Sequence, residues 1–96
     1  MGPGPDIIEP VVLELPKLKY PKEAKRRKIN AIVRVRVLVD ENGTVLEAKL
    51  DEPVGYGFDE EALKVAYKTR FIPATKGQVM VKYWTVLPLI YNLEKD

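Results

Sequence analysis

From Ala31 to Val39 the chain sets Val33, Val35, Val37 and Val39 on one side and Ile32, Arg34, Arg36 and Leu38 on the other. A period of two in β-branched residues marks a strand with one buried face. Asp40-Glu41-Asn42-Gly43 follows at once. It reads as a turn in which Asn42 and Gly43 accept positive φ. Thr44 to Leu50 is then the return strand, with Leu46, Ala48 and Leu50 expected on one face and Val45, Glu47 and Lys49 on the other. This hairpin is the strongest local signal in the chain, and the other elements have to be arranged around it.

Two helices flank it. Pro21 suits the first position of a helix, where a missing N–H costs nothing. Lys22 to Lys28 are good helix formers, with Tyr20, Ala24 and Ile29 as the apolar contacts. The second helix is expected over Phe58 to Phe71, capped by Asp59 or the residue before it, with Leu63, Ala66, Tyr67 and Arg70 on one stripe beside Ala62. Between the hairpin and this helix, Gly55-Tyr56-Gly57 lacks the third glycine of a nucleotide loop and reads as a turn. Pro73 stops the helix, Lys76-Gly77 turns, and Val79 to Leu93 is a long extended run. At the other end, five of the eight prolines fall between Met1 and Pro21, so that segment is extended. Val11 to Leu15 is rich enough in β-formers to be a short edge strand.

A right-handed helical crossover from the second strand to the third leaves a gap that the first strand fills. The expectation is an α+β fold in the order α-β-β-α-β: a three-stranded antiparallel sheet, order 2-1-3, with two helices on one face and room for an extra N-terminal edge strand. Residues 1–16 are a Pro-rich linker remnant or edge strand, and residues 17–96 the folded domain. Met1-Gly2-Pro3-Gly4-Pro5 resembles an expression junction or a linker cut short, so the chain is expected to be a fragment of something longer.

Composition narrows the chemistry. The 96 residues, 46% of them apolar, make one small domain, and they include no cysteine, histidine or serine. That removes disulfides, Cys/His zinc sites, haem ligation by His and the Ser-His and Cys-His nucleophile pairs. Asp59, Glu60 and Glu61 cluster at a helix start, where the dipole favours acids in any case. The expectation is a binding module, not an enzyme, with no metal and no cofactor. No segment approaches the ~20 apolar residues of a membrane span. Net charge is +2, yet Lys17 to Lys28 carries +6, leaving −4 elsewhere. Such a block is either a solvated helix face or a surface for phosphates or acidic partners.

The final run is the most informative feature. It is longer than its partner Ala31–Val39, so part of it must overhang or pair elsewhere. It has Met80, Trp84 and Val86 on one side and Val79, Val81, Tyr83, Thr85 and Leu87 on the other. Proteins usually blunt an apolar edge, and here only Lys82 and Pro88 do so. Unless Val11–Leu15 covers it, this edge invites another strand by β-augmentation.

Tyr20-Pro21-Lys22-Glu23-Ala24, the Val39-Asp40-Glu41-Asn42-Gly43-Thr44-Val45 turn, Phe58-Asp59-Glu60-Glu61-Ala62-Leu63, Arg70-Phe71-Ile72-Pro73-Ala74 and Val86-Leu87-Pro88-Leu89 occur in order. Together, over about Lys19 to Tyr91, they resemble the TonB/TolA-type C-terminal domain. Two features depart from the family's pattern: Lys68-Thr69 stands where many members carry Trp, and the segment before the first helix is Lys-rich. The resemblance implies a periplasmic domain, anchored to the inner membrane through an N-terminal helix missing from this sequence. Through that anchor it would answer to a proton-channel motor complex. It also implies docking on the TonB box of a TonB-dependent outer-membrane transporter, which adds a strand along the last strand of the domain. Carried onto this chain, the contact falls on Val79, Val81, Tyr83, Thr85 and Leu87, with the backbone of Val81, Tyr83 and Thr85 foremost, and on the pre-helix residues Lys17, Leu18, Lys19 and Tyr20. Three alternatives stay open: a related interaction module of another envelope or signalling protein, a homodimer formed through the last strand, and nucleic-acid binding by residues 17–28. The +2 charge argues against nucleic acid.

Overall fold

The computed structural model describes residues 6–95; the linker reading of Met1–Pro5 lies outside them. The strands are β1 (Ile7–Ile8), β2 (Val11–Glu14), β3 (Ala31–Val39), β4 (Val45–Leu50), β5 (Arg70–Ile72), β6 (Ala74–Lys76), β7 (Val79–Val81) and β8 (Tyr83–Tyr91). The helices are α1 (Lys22–Arg26) and α2 (Phe58–Lys68), and a short 3-10 turn spans Leu93–Lys95. The central sheet is antiparallel in the order β4-β3-β8, the expected 2-1-3 arrangement. Ala24 of α1 and Phe58, Ala62, Val65 and Ala66 of α2 pack with the Val33–Val39 row, Leu87, Leu89 and Tyr91 in one core. Both helices therefore cover the same face of the sheet.

The hairpin departs from the expected alternation at one point. Val39 pairs with Val45 while Leu38 pairs with Glu47, so Leu46 is the extra residue of a bulge. The bulge shifts the phase: Val45 is buried and Leu46 is exposed, after which Ala48 and Leu50 return to the core side. The turn itself is held by Asp40, whose Oδ1 accepts from the N–H groups of Asn42 and Thr44 at 2.9 Å each. Gly43 has φ +85, and a Cβ there would lie 1.9 Å from the Phe71 carbonyl oxygen. That close approach lets the Phe71 N–H donate to the Gly43 carbonyl at 2.9 Å.

Both helices are shorter than expected. Pro21 precedes α1 as its N-cap, and its carbonyl accepts from the Lys25 N–H. At the other end Lys28 takes φ 55, with Lys28 N–H donating to Lys25 and Ile29 N–H to Ala24. That pair of bonds is a Schellman motif, which ends a helix. In α2 the buried stripe is Phe58, Ala62, Val65 and Ala66: Ala66 and Ala62 of the expected stripe are buried and Leu63 packs beside them, but Tyr67 is half exposed and Arg70 lies beyond the helix. Asp59 does not cap the helix: its carboxylate accepts from Val54 N–H at 2.8 Å and Gly55 N–H at 2.9 Å, tying down the loop before it. The N-cap is Gly57, at φ 86.

α2 stops at Lys68 because Thr69 turns extended, its buried hydroxyl donating to the Val65 carbonyl at 2.8 Å. Arg70–Ile72 then becomes β5 and buries Phe71, while Pro73 disfavours a helical Ile72. The partner of β5 is β2, and β1 pairs with β6. The N-terminal segment thus supplies edge strands, but against the exit of α2 and not against the last strand. The long final run is also divided. Val79–Val81 folds back on Ala74–Lys76, and Tyr83–Tyr91 pairs with β3 over its whole length.

Candidate functional site

β8 is the outer strand of the central sheet, and among the described residues no strand pairs with its free side. Which backbone groups face that side follows from one residue. Pro88 pairs with Arg34 and has no N–H to give. Antiparallel pairs alternate between those that exchange hydrogen bonds and those that do not. Arg34–Pro88 must be of the second kind, so Val33–Leu89, Val35–Leu87 and Val37–Thr85 exchange the bonds with β3. The groups of Trp84, Val86 and Ile90 therefore point to the free side, where Pro88 offers only its carbonyl. β4 supplies an independent check. Val37 spends its groups on β8, so its β4 partner Ala48 must face away from β3, and the Ala48 N–H indeed donates to the Tyr67 hydroxyl at 3.2 Å.

The contact residues expected along the final run all fall on the inward side of this parity. Tyr83 and Thr85 direct their backbone groups at β3, and Leu87 is a buried core residue. The residues that present the edge are Trp84, Val86 and Ile90, whose side chains lie exposed on the sheet face away from the helices. The proline at position 88 was the signal that could have found them. Val79 and Val81 lie in β7, joined to β6 by a two-residue turn with positive φ at Gly77 and Gln78. In such a hairpin the pair flanking the turn is hydrogen-bonded. Met80 is then the β7 residue that faces outward, in phase with Trp84, Val86 and Ile90.

The outer face of the sheet mixes apolar and cationic groups. The Lys49 Nζ lies 5.0 Å from the centre of the Trp84 ring, and the Arg36 guanidinium donates to the Asp51 carboxylate at 2.6 Å. Both contacts are solvent-exposed and add little to stability. They hold the tryptophan ring and the arginine down on the sheet beside the open edge.

The pre-helix residues lie on the helix side, away from Tyr83. Leu18 and Tyr20 pack against the core, and the Tyr20 ring meets Phe58 and Tyr91 edge-on at 5.7 and 5.6 Å. Its hydroxyl donates to the Ile29 carbonyl, fixing the start of β3 to the segment before α1. Burial pushes the Tyr20 hydroxyl pKa up. Lys17 and Lys19 are exposed and meet Lys64 and Lys68 of α2 around a shallow hollow of about 350 Å³. The basic block is thus divided, for Arg26 of α1 and Arg27 at its C-cap both pair with Glu23 at 2.9 Å. The site residues expected from the sequence accordingly form two groups, one along the final run and one beside α2, and the Tyr20 ring of the second reaches β8 at Tyr91.

Among the described residues no cluster of carboxylates could hold a metal ion, and no helix is long and apolar enough to cross a membrane. The family model described as Gram-negative bacterial TonB protein C-terminal matches residues 16–93. The chain is also similar to the solution NMR structure of the Pseudomonas aeruginosa TonB CTD. The TM-score is 0.68 at 26% identity, over 96% of this chain and 91% of that one. No curated protein matches it.

Proposed function

Because the chain belongs to the Gram-negative TonB C-terminal family, we propose that it takes up an extended segment of an outer-membrane transporter along the free side of β8. The family is one of energy-transducer domains that work through protein contacts in the periplasm. What is proposed for this chain is the mode of contact and the force path. The incoming segment adds a strand next to Trp84, Val86 and Ile90, and proton-motive-force-derived energy, delivered through an inner-membrane anchor upstream, reaches it through the sheet.

The observation that carries this reading is the open edge, with its outward donors at Trp84, Val86 and Ile90 and exposed apolar side chains beside them. A row of unpaired backbone groups is a template for another strand. The same edge supports a second reading, pairing with its own copy across a two-fold axis.

An amide NMR titration with short extended peptides of TonB-box type, next to a single-stranded oligonucleotide, tests the proposal. Peptide-induced shifts concentrated on Tyr83–Tyr91 support it. Shifts confined to Lys17–Lys28, produced by the oligonucleotide and lost in salt, would overturn it in favour of a phosphate-binding surface. Sizing at several concentrations separates peptide docking from self-pairing.

A further inference from the structure

The central sheet has a second outer strand, and it is closed. We propose that Tyr67 is the residue that makes this sheet one-ended: its hydroxyl occupies the β4 edge and directs strand addition to β8. The inference rests on the strand-addition reading above.

β4 has the same liability as β8. Ala48 and Leu50 belong to pairs that do not exchange hydrogen bonds with β3, so their N–H and C=O groups point away from the sheet. At the start of the strand Arg70 bridges to Thr44, and the Phe71 N–H donates to the Gly43 carbonyl at 2.9 Å. In the middle the Ala48 N–H donates to the Tyr67 hydroxyl at 3.2 Å. An incoming strand would have to displace both before it could pair. Among the described residues no such contact is made at Trp84, Val86 or Ile90.

The position of Tyr67 is otherwise hard to account for. It lies outside the buried stripe of α2 and leaves about half its surface, 49%, in solvent. The ring is spent on reaching the edge. The consequence concerns assembly. With both its edges open the central sheet would allow head-to-tail addition without closure, whereas with one open edge it allows a docked peptide or a closed pair and nothing longer.

The test compares the unmodified chain with Tyr67→Phe and Tyr67→Ala. Phenylalanine keeps the ring and removes only the acceptor, so the fold is retained. The Ala48 amide should then exchange with solvent about fivefold faster, the expectation for losing one hydrogen bond. In sedimentation experiments over a wide concentration range the unmodified chain should stop at the dimer. Tyr67→Ala, with native circular dichroism, should go on to larger species with NMR shifts on Val45–Leu50. Unchanged Ala48 exchange in Tyr67→Phe overturns the proposal, as does assembly of the unmodified chain beyond the dimer. Neither readout uses the transporter peptide. A peptide that fails to shift Tyr83–Tyr91 therefore counts against the docking reading, while the exchange rate still decides the role of Tyr67.

Discussion

The hydroxyl of Tyr91 is buried and has no hydrogen-bond partner among the described residues. Such a group costs about 1–3 kcal/mol of desolvation. Tyr91→Phe keeps the ring contacts with Tyr20 and Phe58 and should raise stability by about 1 kcal/mol, read as a higher urea midpoint at neutral pH. The effect should grow in alkali. Burial, and then the Glu61 carboxylate, push the Tyr91 pKa above its ordinary 10.0. Below pH 10 the hydroxyl is neutral in both states and the difference is flat. Above it the unfolded chain ionises while the fold holds the proton, so stability falls as pH rises towards the folded pKa. The phenylalanine variant loses that slope, and equal slopes in the two proteins would refute the assignment. Lys28 offers a second test. A non-glycine residue at φ 55 closes the Schellman motif of α1, and Lys28→Gly should stabilise by roughly 1 kcal/mol. Gly43→Ala should do the reverse by more than about 2 kcal/mol, since the new methyl meets the Phe71 carbonyl and separates the hairpin turn from β5.

At the scale of elements, the edge parity makes Val86 and Pro88 opposite experiments. Val86→Pro places a ring where a donor faces the free side and leaves the β3 bonds untouched, so the fold should survive while peptide affinity falls roughly tenfold. Pro88→Val restores a donor and should strengthen docking by about fivefold. Titration calorimetry of both variants checks the pair, and an unchanged affinity in Val86→Pro would remove β8 as the docking strand. Tyr83→Pro, at a residue the sequence placed in the contact, instead breaks a bond to Val39 and damages the sheet. The alternating valines and the Asn-Gly turn made β3 and its hairpin legible, because a two-residue period is local information. The bulge at Leu46 was not legible, since it depends on how the β4 edge meets β5. Arg70 and Phe71 read as helix because their periodicity continued from α2; their strand partners Glu14 and Val12, far earlier in the chain, decided otherwise. The same distance hid the role of Val11–Glu14. Since that strand pairs with β5, deleting residues 1–15 should leave peptide affinity unchanged, not raise it, and should expose the Arg70–Ile72 amides to exchange.

The whole molecule is elongated, 48 Å along its principal axis against 26 and 23 Å across it. Its parts are joined with unequal strength. β3 and β8 pair over nine residues each, with Leu87, Leu89 and Tyr91 buried beneath them. β1 meets β6 through only two pairs, and every residue of β2 is exposed. A pull that enters along the N-terminal segment and leaves through a strand docked on β8 crosses both kinds of junction in series. The first anchor in the core is Leu18, followed by Tyr20 against Phe58 and Tyr91. Hydrogen bonds loaded together in shear share the force, and each is worth only ~0.5–1.5 kcal/mol net. The short β1 and β2 pairs, with little buried area behind them, should therefore release first and leave the β3–β8 sheet intact. In a single-molecule experiment that pulls between residue 6 and a docked peptide, the expected trace is a low-force step followed by a separate high-force rupture. Moving the attachment from residue 6 to residue 16 should abolish the first step and preserve the second. One single rupture in the full chain would mean that the ribbon and the sheet fail as a unit, and that the ribbon carries load all the way to the docking edge.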